Sequence, residues 1–211
     1  MNKENRRMAF RFTIFITIMV ALSFSLAGCS KAQAFWAYQL QADPFYPLDR
    51  MSRSKVGTIV MDYSHDGSEA GELSEDEVAL VKGDGEFRPI KRILSYMSIG
   101  EAEENRFYWD NSWTQNGTIT SASPQFLFAV NPEWPDNYKV RYWDPEWRAV
   151  VDQYLDRIVS AGFSGVYLDI VDAYYYFGPF GEGKHFGTER ESADHMIDLI
   201  LIFEDLSCYV V

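Results

Sequence analysis

Short apolar runs and longer amphipathic stretches alternate along the chain, and they predict two kinds of secondary structure. The short runs, which are rich in β-branched and aromatic residues, are typical of β-strands. These runs cover residues 36–40, 56–64, 92–99, 139–143 and 165–172. In the last run Val166, Leu168 and Ile170 lie on one face of the predicted strand, and Tyr167 and Asp169 share the other face.

Helices are predicted between these strands by capping residues and by apolar positions at helical spacing. Asp144 as N-cap and Pro145 in the first turn begin a long amphipathic helix. Ser74 and Glu77 form a predicted capping box at the start of a shorter one. A last helix is expected over about residues 189–203. Because strands alternate with helices, we expect parallel βαβ units and an α/β fold, a class that includes the barrels.

Acidic residues stand at the carboxyl ends of the predicted strands, where α/β folds hold their chemistry. They are Asp62, Glu101 and Asp169. A carboxylate at the end of an apolar strand costs free energy unless it is hydrogen-bonded or has a role in function. Asp169 is therefore the strongest candidate for a functional residue. Two alternatives stay open, since Asp169 could bind backbone amides of a loop and Asp62 could serve an ordinary turn. Glu101 and Glu103 could also belong to a solvated acidic face.

Composition favours one folded domain with an acidic surface. Of the 211 residues, 47% are hydrophobic and 16% are aromatic, which excludes disorder as the main state. The 19 basic and 31 acidic residues give a net charge of −12. Such a surface repels phosphate backbones, so we predict no nucleic-acid partner and expect cationic or neutral ligands instead. Nothing in the sequence indicates the oligomeric state.

Motifs of metal and nucleotide chemistry are missing from the sequence. The two cysteines, Cys29 and Cys208, make neither a disulfide scaffold nor a cysteine-rich zinc site. The glycine-rich stretch 178–185 has the spacing of a phosphate-binding loop, but His185 stands where Ser or Thr should hold magnesium. We therefore predict no metal and no cofactor.

The first 28 residues have the layout of a lipoprotein signal peptide. Basic residues dominate positions 1–11, an apolar run follows over 12–27, and the sequence LAGC ends at Cys29. We expect residues 1–28 to be removed, Cys29 to carry the lipid, and residues 29–211 to form one domain on a bacterial cell envelope. A transmembrane helix is the alternative, although the run is short for one. Removal of the signal leaves 15 basic and 30 acidic residues, a net charge of −15.

Four blocks of the sequence, taken together, resemble glycoside hydrolase family 114, the endo-α-1,4-polygalactosaminidase type. They are VMDYSHDG at 60–67, ILSYMSIGEAEENRFYW at 93–109, NPEWPDNYKVRYWDPEW at 131–147 and AGFSGVYLDIVDAYYYF at 161–177. The resemblance implies a (β/α)8 TIM-barrel fold and cleavage of secreted galactosamine-containing polysaccharide. It implies that Asp169, in the YLD motif, is a catalytic carboxylate. It also implies a sugar cleft lined by Asp62, Tyr96, Glu101, Tyr142 and Asp172.

The length of the chain departs from the family pattern. Without the signal 183 residues remain, whereas a full barrel takes about 250, and about five of the eight strands are recognisable. The family supplies its second catalytic carboxylate, a Glu, from a later strand. We therefore expect a barrel truncated at its carboxyl end and nearly inactive, unless a residue such as Glu101 substitutes. The competing hypothesis is a surface lipoprotein that binds a cationic amino-sugar polysaccharide without cleaving it.

Overall fold

The computed structural model describes residues 35–42 and 45–203, together with the backbone of residues 209–210. The predicted signal peptide and lipidated Cys29 lie outside these residues. In chain order the strands are β1 Trp36–Gln39, β2 Thr58–Met61, β3 Arg92–Ser98, β4 Glu101–Glu103, β5 Thr114–Gln115, β6 Thr118–Ile119, β7 Leu127–Val130, β8 Asn137–Val140, β9 Gly165–Asp169 and β10 Tyr209–Val210. The helices are α1 Leu48–Arg53, α2 Glu75–Lys82, α3 Pro145–Ser160, α4 Ala173–Phe177 and α5 Glu189–Ile200. Short 3₁₀ turns cover Glu69–Gly71 and Leu201–Phe203.

A five-stranded parallel sheet is the centre of the fold, with the strand order β1-β2-β3-β9-β10. The register of β3 and β9 sets Tyr96 opposite Tyr167 and Ser98 opposite Asp169. The carboxyl ends of these strands therefore meet at one edge, as in a barrel of the TIM type. Within the described residues β1 and β10 are the two outer strands of this sheet.

One predicted strand has a different partner from the one expected. The run at 139–143 was expected to join the parallel sheet, but the strand there is β8, which pairs antiparallel with β4 and β7 in a separate sheet. Its alternating pattern predicts an extended segment correctly but says nothing about the direction of its neighbours. The small second sheet stands beside the carboxyl edge of the parallel one, because β4 follows β3 after only Ile99 and Gly100.

Local sequence signals account for the two best-defined helices. The Ser74 side chain accepts a hydrogen bond from the backbone of Glu77, and the Glu77 side chain bonds the backbone of Ser74, which confirms the capping box of α2. The Asp144 side chain caps α3 through the backbone N–H of Glu146, with Pro145 in the first turn. The last predicted helix is confirmed as α5 and the 3₁₀ turn that follows it.

The two faces of the parallel sheet are buried to different degrees. Side chains such as Met61, Met97 and Val166 point to the face covered by helices and belong to the main core. The buried stripe of α3 packs there with Trp147, Val151, Tyr154, Leu155 and Ile158. The opposite face carries only a small cluster of Val60, Leu94 and Tyr96, with Leu40 and Tyr167 beside it. Among the described helices, none has both the length and the apolarity needed to cross a membrane.

Candidate active site

A cavity of about 890 Å³ lies at the carboxyl edge of the parallel sheet. Its walls come from the ends of β1, β2, β3 and β9, from β4 and the residues that follow it, and from the loop between β7 and β8. Arg106 is a cationic residue of the lining. Six carboxylates line the cavity: Asp62, Glu101, Glu103, Glu104, Asp136 and Asp169. The electrostatic character of this space is therefore strongly anionic, which suits a cationic ligand.

Asp169 lies at the end of β9 and is partly exposed to this cavity. Its Oδ2 atom accepts a hydrogen bond of 2.8 Å from the Tyr96 hydroxyl on neighbouring β3. Among the described residues it has neither a cationic partner within ion-pair distance nor a side-chain bond from a backbone amide. Burial and the negative charges of Glu103 and Asp169 raise the pKa of Tyr96, so the phenol stays protonated and donates. Among the described residues, the Asp169 carboxylate is therefore held in the cavity by one neutral side-chain donor, the Tyr96 hydroxyl.

The backbone directly after Asp169 is strained. Ile170 has φ of 56°, in the left-handed region that a β-branched residue rarely adopts. Gly100 packs against this turn so closely that a Cβ atom there would collide with the carbonyl oxygen and side chain of Ile170 and with Ala173. The backbone N–H of Ile99 also donates to the Asp169 carbonyl at 3.1 Å. Strain of this kind often marks functional sites, where the surroundings hold it in place.

Arg106 joins two of the carboxylates in a buried ion cluster. Its guanidinium binds both oxygens of Asp62 at 2.9 and 2.8 Å, and its Nε atom binds Glu103 at 2.6 Å. The three side chains are only 3%, 9% and 12% exposed for Arg106, Asp62 and Glu103. Burial raises the pKa of Glu103, and the attraction of Arg106 opposes that rise. Asp62 is thus an ion-pair partner at the cavity wall as well as a turn residue, since it also accepts from the backbone N–H of Ser64.

Glu101 is held in a second, separate network. Lys139 from β8 donates to it at 2.5 Å, and Asn131 and Asn137 donate at 2.9 and 3.4 Å. The Glu101 side chain is only 1% exposed. The expectation of a solvated acidic face at Glu101 and Glu103 is wrong, because pairing of β4 with β8 buries both residues.

Two residues expected to line the cleft are not brought to this cavity. Tyr142 is 1% exposed in the core, where its hydroxyl bonds the carbonyl and hydroxyl oxygens of Ser192 at 2.8 and 2.7 Å. Burial raises the pKa of Tyr142 to about 12. Asp172 is exposed at the start of α4, one turn beyond the strand end. The turn at Ile170 redirects the chain, so only Asp169 of this segment's acids faces the cavity.

Several cavity residues were missed by sequence reasoning. Arg106, Glu104 and Asp136 lie in short connections without periodicity, so their sequence carries no signal for the walls that they form. Trp134 lies in the connection between β7 and β8, and no sequence pattern distinguishes it from the aromatic residues of the core. In the part of the chain that the structure describes, no group of three or more His, Cys, Asp or Glu residues could hold a metal ion.

A parallel sheet with carboxylates gathered at its carboxyl edge places the chain in the α/β class and gives it a site that suits acid–base chemistry. Comparison with known families makes this more specific. The model of glycoside-hydrolase family GH114 matches residues 23–204, and the chain belongs to this family.

Two curated relatives are similar over most of the chain. It is 44% identical over 165 residues to an uncharacterized protein of Methanocaldococcus jannaschii, covering 78% of this chain and 43% of the relative. It is 37% identical over 198 residues to an uncharacterized protein of Thermotoga maritima, covering 89% of this chain and 55% of the relative. The chain thus spans about half the length of these relatives.

Solved structures show the same fold at low sequence identity. The glycoside hydrolase domain of PelA from Pseudomonas aeruginosa aligns with a TM-score of 0.57 and 16% identity, over 84% of this chain and 58% of that one. Ega3 from Aspergillus fumigatus, solved in complex with galactosamine, aligns with a TM-score of 0.51 and 15% identity, over 85% of this chain and 59% of that one. These alignments agree with the barrel-type fold expected from the sequence.

Proposed function

We propose that this chain binds a galactosamine-containing polysaccharide and supplies Asp169 as a catalytic carboxylate for its hydrolysis. The observation that carries the proposal is the position of Asp169, in an anionic cavity at the carboxyl edge of the sheet, with Tyr96 as its hydrogen-bond donor. Membership of GH114 supports the reaction class. The galactosamine bound to Ega3, which has the same fold, supports the choice of sugar.

The charge of the cavity supports an amino-sugar substrate. Galactosamine units with free amino groups are cationic at neutral pH. The six carboxylates of the lining outnumber the Arg106 guanidinium and the Lys139 ammonium that binds Glu101, so the potential of the cavity is negative. Such a potential concentrates a cationic polymer at the site and weakens as salt rises. N-acetylated units lack this charge, so we expect binding to fall as the degree of acetylation of the polymer increases.

The reaction also requires a second carboxyl group in the cavity. Glycoside hydrolysis normally uses two, one as proton donor and one as nucleophile or base. Asp62 and Glu103 are both held by Arg106, and Glu101 is held by Lys139. None of the three can act as the second acid without first breaking an ion pair. Of the two other carboxylates in the lining, Glu104 accepts a hydrogen bond from Tyr138 and Asp136 lies on an exposed loop. The proposal therefore includes very slow turnover by this chain on its own.

The catalytic assignment is tested by long incubations of the purified chain with partially de-N-acetylated α-1,4-galactosamine polymer. We expect a slow release of reducing ends that Asp169→Asn reduces to the level of the enzyme-free blank. Asp172→Asn is the matched control, because Asp172 is an exposed carboxylate three residues away that does not line the cavity. Equal release by the chain and by Asp169→Asn would refute the assignment.

A non-catalytic polysaccharide-binding function is the second candidate. The observation that favours it is the ion pairing of Asp62, Glu101 and Glu103, which engages three of the five carboxylates that line the cavity with Asp169. Calorimetry and a reducing-end assay on the same polymer separate the two functions. Binding without any new reducing ends supports the second candidate, whereas any release that depends on Asp169 supports the first.

Export and lipid anchoring belong to the same proposal. The basic residues at 1–11, the apolar run at 12–27 and the sequence LAGC ending at Cys29 support them. Lipid on a single terminal residue would hold the protein at a bacterial membrane, since each buried methylene contributes about 0.8 kcal/mol. Expression with labelled palmitate should label the protein and leave Cys29→Ser unlabelled and unprocessed. Labelling that is independent of Cys29 would contradict the anchor.

A further inference from the structure

Trp134 is an exposed aromatic residue at the mouth of the cavity. Its side chain lines the cavity, yet the residue is 65% exposed. It lies in the connection between β7 and β8, with Pro132 and Pro135 on either side. A large indole left in water next to a polar cavity offers apolar surface to whatever enters that cavity.

The segment that carries Trp134 is held in one conformation by backbone hydrogen bonds. The Trp134 N–H donates to the Asn131 carbonyl at 3.2 Å, and the Trp134 carbonyl accepts from the Asn137 N–H at 2.9 Å. The Asn131 N–H donates to the Asn137 carbonyl at 2.7 Å, which closes the segment into a loop. The backbone that carries the indole is therefore ordered before a ligand arrives, so binding loses little backbone conformational entropy in this loop.

The loop is also tied to the wall of the cavity through a buried ion pair. The Asn131 side-chain amide donates to Glu101 at 2.9 Å, and Lys139 donates to the same carboxylate at 2.5 Å. Because the carboxylate is almost fully buried, the network is rigid rather than free to contact a sugar. Glu101 thus fixes the position of the loop that presents Trp134.

Negative charge lies beside the indole in the same cavity. Asp136, two residues along the loop, is exposed and lines the cavity, as does Glu104. Carboxylates attract an ammonium group, and the face of a Trp ring attracts cations as well. An apolar ring face and two carboxylates in the lining of one cavity match a sugar that has one C–H face and one amino group.

We propose that Trp134 is a binding platform on which one amino-sugar ring stacks at the mouth of the cavity, with its ammonium group near Asp136 and Glu104. This inference rests on the proposed polysaccharide function. It goes beyond that function by naming a residue that contributes to affinity for the polysaccharide at the mouth of the cavity, away from Asp169. Trp134 contributes to binding rather than to the reaction, because nothing in its indole can transfer a proton to the glycosidic oxygen.

The experiment measures binding of the full chain to a de-N-acetylated galactosamine oligosaccharide by calorimetry and by tryptophan fluorescence. We expect Trp134→Ala to raise Kd about tenfold and Trp134→Phe to raise it about threefold, since Phe keeps an aromatic face of smaller area. Trp36→Ala is the matched control. Trp36 is 61% exposed, but it begins β1 at the amino end of the sheet and does not line the cavity.

Each outcome has a separate meaning. If Trp134→Ala weakens binding while Trp36→Ala does not, and the ligand-induced fluorescence change is lost in Trp134→Phe, the platform is supported. If the unaltered chain binds but Trp134→Ala binds equally well, the platform is refuted and the proposed function stands. If the unaltered chain does not bind the oligosaccharide, both the proposed function and this inference are refuted. Thermal unfolding of each variant checks that the fold is retained.

Discussion

Replacement of Arg106 by Met should destabilise the protein strongly, because it leaves two buried carboxylates without their counter-charge. The guanidinium binds Asp62 through two nitrogens and Glu103 through the third, and its side chain is 3% exposed. Removing one partner from a buried ion network typically costs about 3–5 kcal/mol. Met keeps an apolar stem of similar length but loses the guanidinium and its cation–π contacts with the rings of Tyr63 and Tyr154, so the loss reports mainly on charge.

The loss should depend on pH with a defined sign. Burial already raises the pKa of Glu103, and without Arg106 the opposing attraction is gone, so the pKa of Glu103 rises further. A carboxyl group whose pKa is higher in the folded than in the unfolded protein lowers stability as the pH rises from the unfolded to the folded value. The deficit of Arg106→Met should therefore be smallest below the ordinary carboxyl pKa and should grow as the pH rises above it.

Urea unfolding of the protein and its variants at several pH values provides the measurement. Arg157→Met is the matched control, since Arg157 also bridges two carboxylates, Glu69 and Glu72, but is 31% exposed. We expect that change to cost about 1 kcal/mol or less. Neutralising the whole buried cluster, with Asp62→Asn and Glu103→Gln added to Arg106→Met, should restore much of the loss. Equal losses for the two arginines, or a loss that does not depend on pH, would refute the reasoning.

Three further changes test other parts of the structure. Tyr96→Phe removes the donor to Asp169, so release of reducing ends should fall about tenfold or more while oligosaccharide Kd changes less than twofold; the reverse split would contradict a positioning role. Ser74→Ala should lower the free energy of unfolding by about 1 kcal/mol. Hydrogen bonds from Ser74 lower the pKa of Glu77. The contribution of Glu77 to the free energy of unfolding is therefore present above the ordinary carboxyl pKa and is lost as the pH falls through the lowered value. Urea midpoints at pH 7 and 3 would detect this loss. Tyr142→Phe should lower the free energy of unfolding by about 1 kcal/mol without changing the oligosaccharide Kd. Weaker binding at unchanged stability would instead indicate that Tyr142 contacts the sugar in the cleft.

The elements that the sequence predicted well are those whose causes are local. The capping box at Ser74 and the Asp144–Pro145 start of α3 need only residues within one turn of each other. Strand β8 shows the limit of this reasoning. Its alternation identifies an extended segment, but its antiparallel pairing with β4 depends on a chain reversal far from it in sequence.

The site was predictable only where strand ends determine it. Asp169 ends an apolar strand, and parallel strands bring such ends together, so its place at the carboxyl edge follows from the pattern. The role of Arg106 does not follow, because one of its partners, Asp62, is 44 residues away and reaches it only in the folded chain. Tyr142 was assigned to the cleft from the family resemblance alone, and the structure places it in the core instead, where its hydroxyl is hydrogen-bonded to Ser192.

Three unfavourable features lie together at one end of the molecule, and their coincidence is itself an argument about function. Ile170 adopts a left-handed conformation that costs of the order of 1–2 kcal/mol for a residue with a Cβ atom. Arg106 is buried with its two carboxylates, an arrangement that seldom stabilises a fold more than apolar side chains would. Trp134 exposes an indole to water. Left-handed residues and exposed aromatic side chains also occur elsewhere, for example at Asn116 and Phe87, so the feature to be explained is their combination with a buried ion cluster around one cavity. The proposed role of this edge of the sheet in binding and catalysis would explain that combination, because the turn at Ile170, the ion cluster of Arg106 and the hydrogen-bonded loop of Trp134 each order part of the cavity wall before the ligand arrives.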